Sequence, residues 1–165
     1  MKFIRHIEAP EYSFADVPVF NSDYHRMRRT WELFGTLSDQ NNFNLAASIF
    51  TTKFVSGGAN ERRSHAKLYP YREALHAEQV ALMSAKTSVI NSTVYVCRMQ
   101  NHNTEDYFLS LPCFWCIHTL IKHGVNKVVY TTGNKKPGKE LNAFKLSSVK
   151  IDPISSLDID YEMIP

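Results

Sequence analysis

The sequence predicts an α/β sandwich of three layers built on a partly parallel sheet. After an initial pair of strands, helical and strand-like segments alternate, and each amphipathic helix must bury its apolar side on a sheet face. The chain has 165 residues with 44% hydrophobic and 12% aromatic content, enough for one globular domain of ordinary size. One domain is therefore expected over residues 1–165, with an N-terminal extension and first helix in 1–40 and the core in 41–151.

Each element has a local cause. Met1 to Asn21 contains Pro10 and Pro18 without a clear period, which reads as an extended segment carrying a short edge strand. From Ser22 as N-cap to about Leu37, Tyr24, Met27, Trp31 and Phe34 recur at helical spacing. Asn41, Asn42 and Asn44 mark a loop. Leu45–Thr52 and Lys53–Ala59 then read as two short strands in tight connection, ended by Gly57 and Gly58.

Asn60 to Arg72 is polar, contains Pro70 and reads as a loop. Glu73 to Lys86 is rich in helix formers and sets Ala74, Ala77, Ala81, Leu82 and Ala85 on one face. The β-branched and aromatic run Ser92–Met99 predicts a strand, and Gln100–Ser110 a loop. Pro112 suits the first turn of a helix that ends at His123, where Gly124 supplies the stop. Lys127–Thr132 is a strand, Lys135–Gly138 a loop, Lys139–Leu146 a helix and Ser148–Ile151 a last strand. No internal repeat or low-complexity run interrupts this order.

Charge and cysteine usage narrow the function classes. The formal net charge is only +3, whereas a nucleic-acid binder usually concentrates basic residues on one face or tail. Three basic groups occur, Arg26/Arg28/Arg29, Arg62/Arg63/Lys67 and Lys135/Lys136/Lys139, each most simply a solvated surface. No apolar stretch is long enough to span a bilayer, and Arg5, His6 and Glu8 interrupt any signal-peptide pattern, so a soluble cytoplasmic protein without membrane partners is expected. Cys97, Cys113 and Cys116 are an odd number of cysteines, which favours reduced thiols or metal binding over a disulfide framework.

The chemistry concentrates in His76-Ala77-Glu78 and Pro112-Cys113-Phe114-Trp115-Cys116, each at the start of a predicted helix and after a loop. Positions three apart share a helix face, so Cys113 and Cys116 can turn two sulfurs to one ion, with His76 as a third ligand from the other helix. Unpaired N–H groups at a helix N-terminus favour thiolate over thiol. Three protein ligands leave the fourth tetrahedral position to water, the arrangement of a catalytic zinc rather than a structural one. Glu78, too close to His76 to ligate the same ion well, is placed to take a proton from that water.

H-x-E followed by P-C-x-x-C is the pattern of the zinc nucleobase deaminases. On those residues, from about Leu45 to Ile151, the chain resembles the cytidine and deoxycytidylate deaminase superfamily. The resemblance implies a mixed five-stranded sheet flanked by helices, one Zn2+ per chain with a bound water or hydroxide, and Glu78 shuttling protons as ammonia leaves a cytosine-type ring. It also implies that Asn60 contacts the sugar of the substrate, and that the chain forms a homo-oligomer. The cationic Arg62, Arg63 and Lys67 directly after Asn60 suit a 5′-phosphate. Ala77 joins the candidate substrate-binding residues, and Tyr130, at a strand end facing the expected site, can stack on the base.

Other residues rank lower. Cys97 reads as a small buried hydrophobe, His123 as a helix-end contact, and Phe114 and Trp115 as part core, part pocket wall. His65 precedes the His76 helix and can line the pocket, whereas His102 and His118 have no partner pattern. The leading expectation is deamination of dCMP to dUMP. Ala59-Asn60-Glu61 stands where triphosphate-regulated members of the family carry Asn-Gly, so such regulation is not implied. The alternative is a deaminase acting on cytosine or adenine within single-stranded DNA, RNA or tRNA, motivated by the arginines of the first helix and the Lys135–Lys139 loop. A purely structural zinc module is disfavoured by Glu78, because closed structural sites use four ligands and need no base.

Overall fold

A computed structural model of the chain describes residues 12–35, 44–61, 75–99, 110–132 and 145–153. In chain order the elements are β1 (Tyr12–Asp16), α1 (Asn21–Phe34), β2 (Asn44–Phe50), β3 (Phe54–Ala59), α2 (Ala77–Ser84), β4 (Thr93–Met99), α3 (Phe114–Lys122), β5 (Lys127–Thr131) and β6 (Leu146–Pro153). The six strands form one sheet in the order β1-β6-β5-β4-β2-β3. Only β4 and β5 run parallel, joined through α3, and the other neighbours are antiparallel.

Period-two alternation along the strands makes the three layers. Ala47, Ile49, Val94, Val96, Val128, Val149 and Ile151 face Ala77 and Ala81 of α2 and Ile117 and Leu120 of α3. Their neighbours Ala46, Phe50, Tyr95, Cys97 and Val129 turn the other way, where Met27 is fully buried and Tyr24, Trp31 and Phe34 of α1 cover them. The expected α/β sandwich is therefore present.

The sheet has one strand more than the five expected, because Tyr12–Asp16 adds antiparallel to β6, with Tyr12 opposite Pro153. The N-cap of α1 is Phe20 rather than Ser22. Asp23 reaches back from the first turn and accepts the Phe20 N–H at 2.8 Å, a bond to the cap backbone rather than the one a capping serine would make to the first turn. The helix also ends before Leu37, with the Gly35 N–H bonded to Trp31 O. In α2, Ala77 is the first helical residue rather than Glu73, because Leu75 is held by a bridge to Glu61. Likewise α3 starts at Phe114, after Cys113, and not at Pro112.

The expected helix Lys139–Leu146 fails at its last residue, which opens β6; residues 139–144 lie outside the described residues, as does the Lys135–Gly138 loop. Gly124 behaves as expected. It has φ +89°, its N–H bonds Ile121 O, and the Val125 N–H bonds Leu120 O, a Schellman closure sealed by the buried Leu120 and Val125 side chains. Close packing of α2 on β3 requires Gly58, where a Cβ would collide with Val80 Cγ1, and Ser56 Oγ donates to Ala81 O at 2.7 Å. Among the described residues no helix is long and apolar enough to cross a membrane.

Candidate active site

Two helix N-termini meet on one side of the sheet. His76 is the N-cap of α2 and Cys113 the N-cap of α3, both in extended backbone, with ψ of 152° and 164°. A cap residue is not yet part of the helical spiral, so its side chain projects ahead of the first turn and can reach across to the neighbouring helix. Gln79, three residues into α2, accepts the His76 N–H through Oε1 at 3.1 Å. That bond fixes the backbone of His76 while its ring points elsewhere.

The ring points at the cysteines. His76 Nδ1 lies 3.5 Å from Cys113 Sγ and 3.3 Å from Cys116 Sγ, and all three ligand atoms fall within 4.8 Å of one another. Zinc bond lengths of about 2.3 Å to sulfur and about 2.0 Å to nitrogen in a tetrahedron put N and S about 3.5 Å apart. The two N–S separations therefore match those such an ion imposes, and the two sulfurs lie within 4.8 Å of each other. None of the three cysteines is in a disulfide.

The electrostatics agree with that donor set. The hydrogen bond from Cys116, helped by His76 and opposed by burial, holds the Cys113 thiol down at about 3, so it is a thiolate at neutral pH. Burial raises the Glu78 carboxyl to about 7, the Cys113 charge adding to the rise and its own backbone N–H and His76 opposing it. Glu78 is almost completely buried, and its Oε2 has no hydrogen-bond partner among the described residues. A buried acceptor of this kind beside three metal-type ligands is suited to a ligand or water that the site receives.

The other expected residues divide. Asn60 is buried at the end of β3, where its Oδ1 accepts the Leu45 N–H and its own N–H bonds Leu45 O, both at 3.1 Å. The Ala77 side chain is fully buried in the core, which leaves only its backbone to meet a ligand. Tyr130 is half-buried and packs on the same side of the sheet as α2 and α3. Arg62, Arg63, His65, Lys67 and His102 lie outside the described residues, and so does the side chain of Phe114.

Trp115 is 41% exposed. Cys97 is fully buried on the α1 face, far from the cluster's layer, and burial pushes its thiol up. His118 is buried, with its pKa lowered by burial and by Lys122. His123 Nδ1 meets Thr119 O at 2.8 Å, a helix-end contact as expected. Gln79 was not among the candidates, although a glutamine three residues after a cap is a readable sign of this backbone bond.

The cytidine and deoxycytidylate deaminase zinc-binding region matches residues 21–132. The chain belongs to this family. The match starts at the first residue of α1, upstream of where the motifs alone begin, and runs through both ligand-bearing helices. Membership makes the chain a deaminase, acting on a C–N bond, with a zinc-binding region to which a cluster of one histidine and two cysteines is suited.

The crystal structure of dCMP deaminase from cyanophage S-TIM5 in complex with dCMP and dUMP superposes with a TM-score of 0.50 at 22% identity, covering 69% of this chain and 83% of that one. Its apo form gives a TM-score of 0.47 at 22% identity, over 69% and 86% of the two chains. At 0.50 the likeness is one of fold. No curated protein matches the sequence significantly.

Proposed function

We propose that the protein catalyses hydrolytic deamination of a cytosine-type base in a free nucleotide, dCMP to dUMP with release of ammonia. In this reading His76, Cys113 and Cys116 hold one zinc ion. Zinc bound there supplies Lewis acidity, bringing the pKa of water toward about 7 so that a nucleophile forms at neutral pH. Glu78 is the proton carrier: it takes a proton from the attacking water and passes it to the ring nitrogen, then takes the second proton from the oxygen now bonded to the ring carbon and delivers it to the departing amine. A C–O bond forms and the C–N bond breaks at the same carbon, leaving a uracil-type ring and ammonia. A carboxyl held at about 7 is matched to both accepting and returning a proton near neutrality.

The observation that supports this reading most is the buried Glu78 Oε2, without a hydrogen-bond partner among the described residues, next to a cluster of three ligand atoms. A free nucleotide as substrate is supported by the cyanophage deaminase of the same fold, which was crystallised with dCMP and dUMP. Asn60, whose Oδ1 accepts the Leu45 N–H, is assigned to the sugar, with Tyr130 beside the base and Arg62 and Arg63 at the phosphate. The test is zinc-loaded protein incubated separately with dCMP, cytidine, single-stranded DNA and RNA, with ammonia and the product base measured and Glu78→Ala as control. Turnover of dCMP alone is expected. Turnover only within a strand moves the function to nucleic-acid editing, and none with any substrate overturns the proposal.

A further inference from the structure

Ser110 lies three residues before Cys113, is 3% exposed and sits between the carboxyl ends of the two parallel strands. Pairing of β4 with β5 stops at Val96 opposite Tyr130. Beyond that rung the serine hydroxyl takes over. Ser110 Oγ donates to Val96 O at 2.6 Å and accepts the Thr131 N–H at 2.8 Å. It also accepts from Thr131 Oγ1 at 2.9 Å, and that hydroxyl in turn meets the Arg98 N–H at 3.4 Å. The Ser110 N–H closes the group on Thr131 O at 3.0 Å.

We infer that Ser110 is a positioning residue for Cys113, its hydroxyl inserted between β4 and β5 so that the chain turns into α3 with both cysteines facing His76. The inference rests on reading His76, Cys113 and Cys116 as zinc ligands. The physical reason is one of satisfied polar groups: Val96 and Thr131 are fully buried, and their backbone C=O and N–H must find partners. With the hydroxyl present they bond to it across a gap. Without it, the two groups close on each other, the strand ends draw together, and the segment Leu111-Pro112-Cys113 moves with them. Ligand convergence to within a few tenths of an ångström depends on such supporting contacts, whose loss costs metal affinity about 10- to 100-fold.

The sequence alone hid this role, because a serine in a polar loop before a proline is an ordinary turn residue. Its significance appears only when β4 and β5 lie side by side and bring Val96 and Thr131, 35 positions apart, to one hydroxyl.

The test measures zinc affinity of the full chain by competition with a chromophoric chelator, together with the melting temperature of the metal-free protein. Ser110→Ala is expected to bind zinc at least about tenfold more weakly, while Ser110→Thr, which keeps the hydroxyl, recovers most of the affinity. If Ser110→Ala fails to fold, Thr131→Val removes the Thr131 hydroxyl with its bonds to Ser110 Oγ and the Arg98 N–H, keeps those of Ser110 to Val96 O and the Thr131 N–H, and is expected to lower zinc affinity in the same direction by a smaller factor. Wild-type zinc affinity in these variants, with only the melting temperature lowered, overturns the positioning role. A wild-type protein that binds no zinc overturns the reading of the ligands instead, so the two failures are distinct.

Discussion

His76 Nδ1 lies 3.3 Å from Cys116 Sγ although the two residues are 40 positions apart in the chain. Such proximity, with Cys113 held as a thiolate, places ligand atoms together that gain most when an ion binds them in the folded state alone. Zinc should therefore act as a stabilising ligand, by about 4 kcal/mol when free zinc exceeds its dissociation constant a thousandfold. Chelation is expected to lower the melting temperature of the wild type. Cys116→Ala should show no zinc-dependent shift. Equal shifts in both proteins place the metal somewhere else.

Glu78 provides a separate test of chemistry as against metal holding. Replacement by glutamine keeps the shape and removes the proton carrier, and loss of a general acid–base group typically slows turnover by about 10²- to 10⁴-fold. Zinc stoichiometry should stay at the wild-type value, because Glu78 is not among the three converging ligand atoms. Parallel measurement of ammonia release and bound zinc checks this. Full turnover by Glu78→Gln assigns proton transfer to another group.

The motif residues were legible because their meaning is local: His76 and Cys113 each open a helix, and that position, together with residue type, is what brings the ligands together. Strands such as β4 and β5 were legible through β-branched alternation. What stayed hidden depends on partners distant in sequence. The pairing of Tyr12–Asp16 with β6 joins opposite ends of the chain, and no pattern within the segment specifies that neighbour. The start of α2 moved because the Leu75 bridge to Glu61 takes precedence over helix propensity. Nothing local to Asp23 shows that it accepts the Tyr95 hydroxyl at 2.7 Å across the layer.

That last contact predicts a stability effect confined to the α1 face. Asp23 is 2% exposed and is held by the Tyr95 hydroxyl, the Phe20 N–H and, at 3.5 Å, Lys127 Nζ. Tyr95→Phe leaves a buried carboxylate oxygen short of a donor, at a cost of about 1–3 kcal/mol. Urea denaturation of the zinc-loaded protein should show that loss with zinc affinity unchanged. A coupled fall in zinc affinity means that the two faces of the sheet are not independent.

Gly124 should be nearly irreplaceable. Its φ of +89° disfavours any L side chain, and a Cβ there would stand 3.0 Å from the Ile90 Cα. Gly124→Ala is expected to cost about 1–2 kcal/mol from the backbone conformation alone, more once Ile90 has to move. The denaturation midpoint measures it, and an unchanged midpoint means that the helix end adopts another closure.

Cys97 predicts the alkaline limit of stability. Burial raises its thiol pKa above the ordinary 9.0, so the folded chain keeps a proton that the unfolded chain releases. For an acid raised in the folded state, the stabilising contribution is complete below the unfolded value and is lost as pH climbs above it. From pH 9 upward this group should lower stability by at most about 1.4 kcal/mol per pH unit. Tyr95, likewise raised above its ordinary 10.0 by burial and by Asp23, adds a second loss at higher pH. Cys97→Val, close in volume and without a titrating proton, should flatten the profile between pH 9 and pH 10 while leaving the later fall. Identical profiles for the two proteins mean that the thiolate is accommodated by opening of the β2–β4 pairing around Ala46 and Cys97, and not excluded by it.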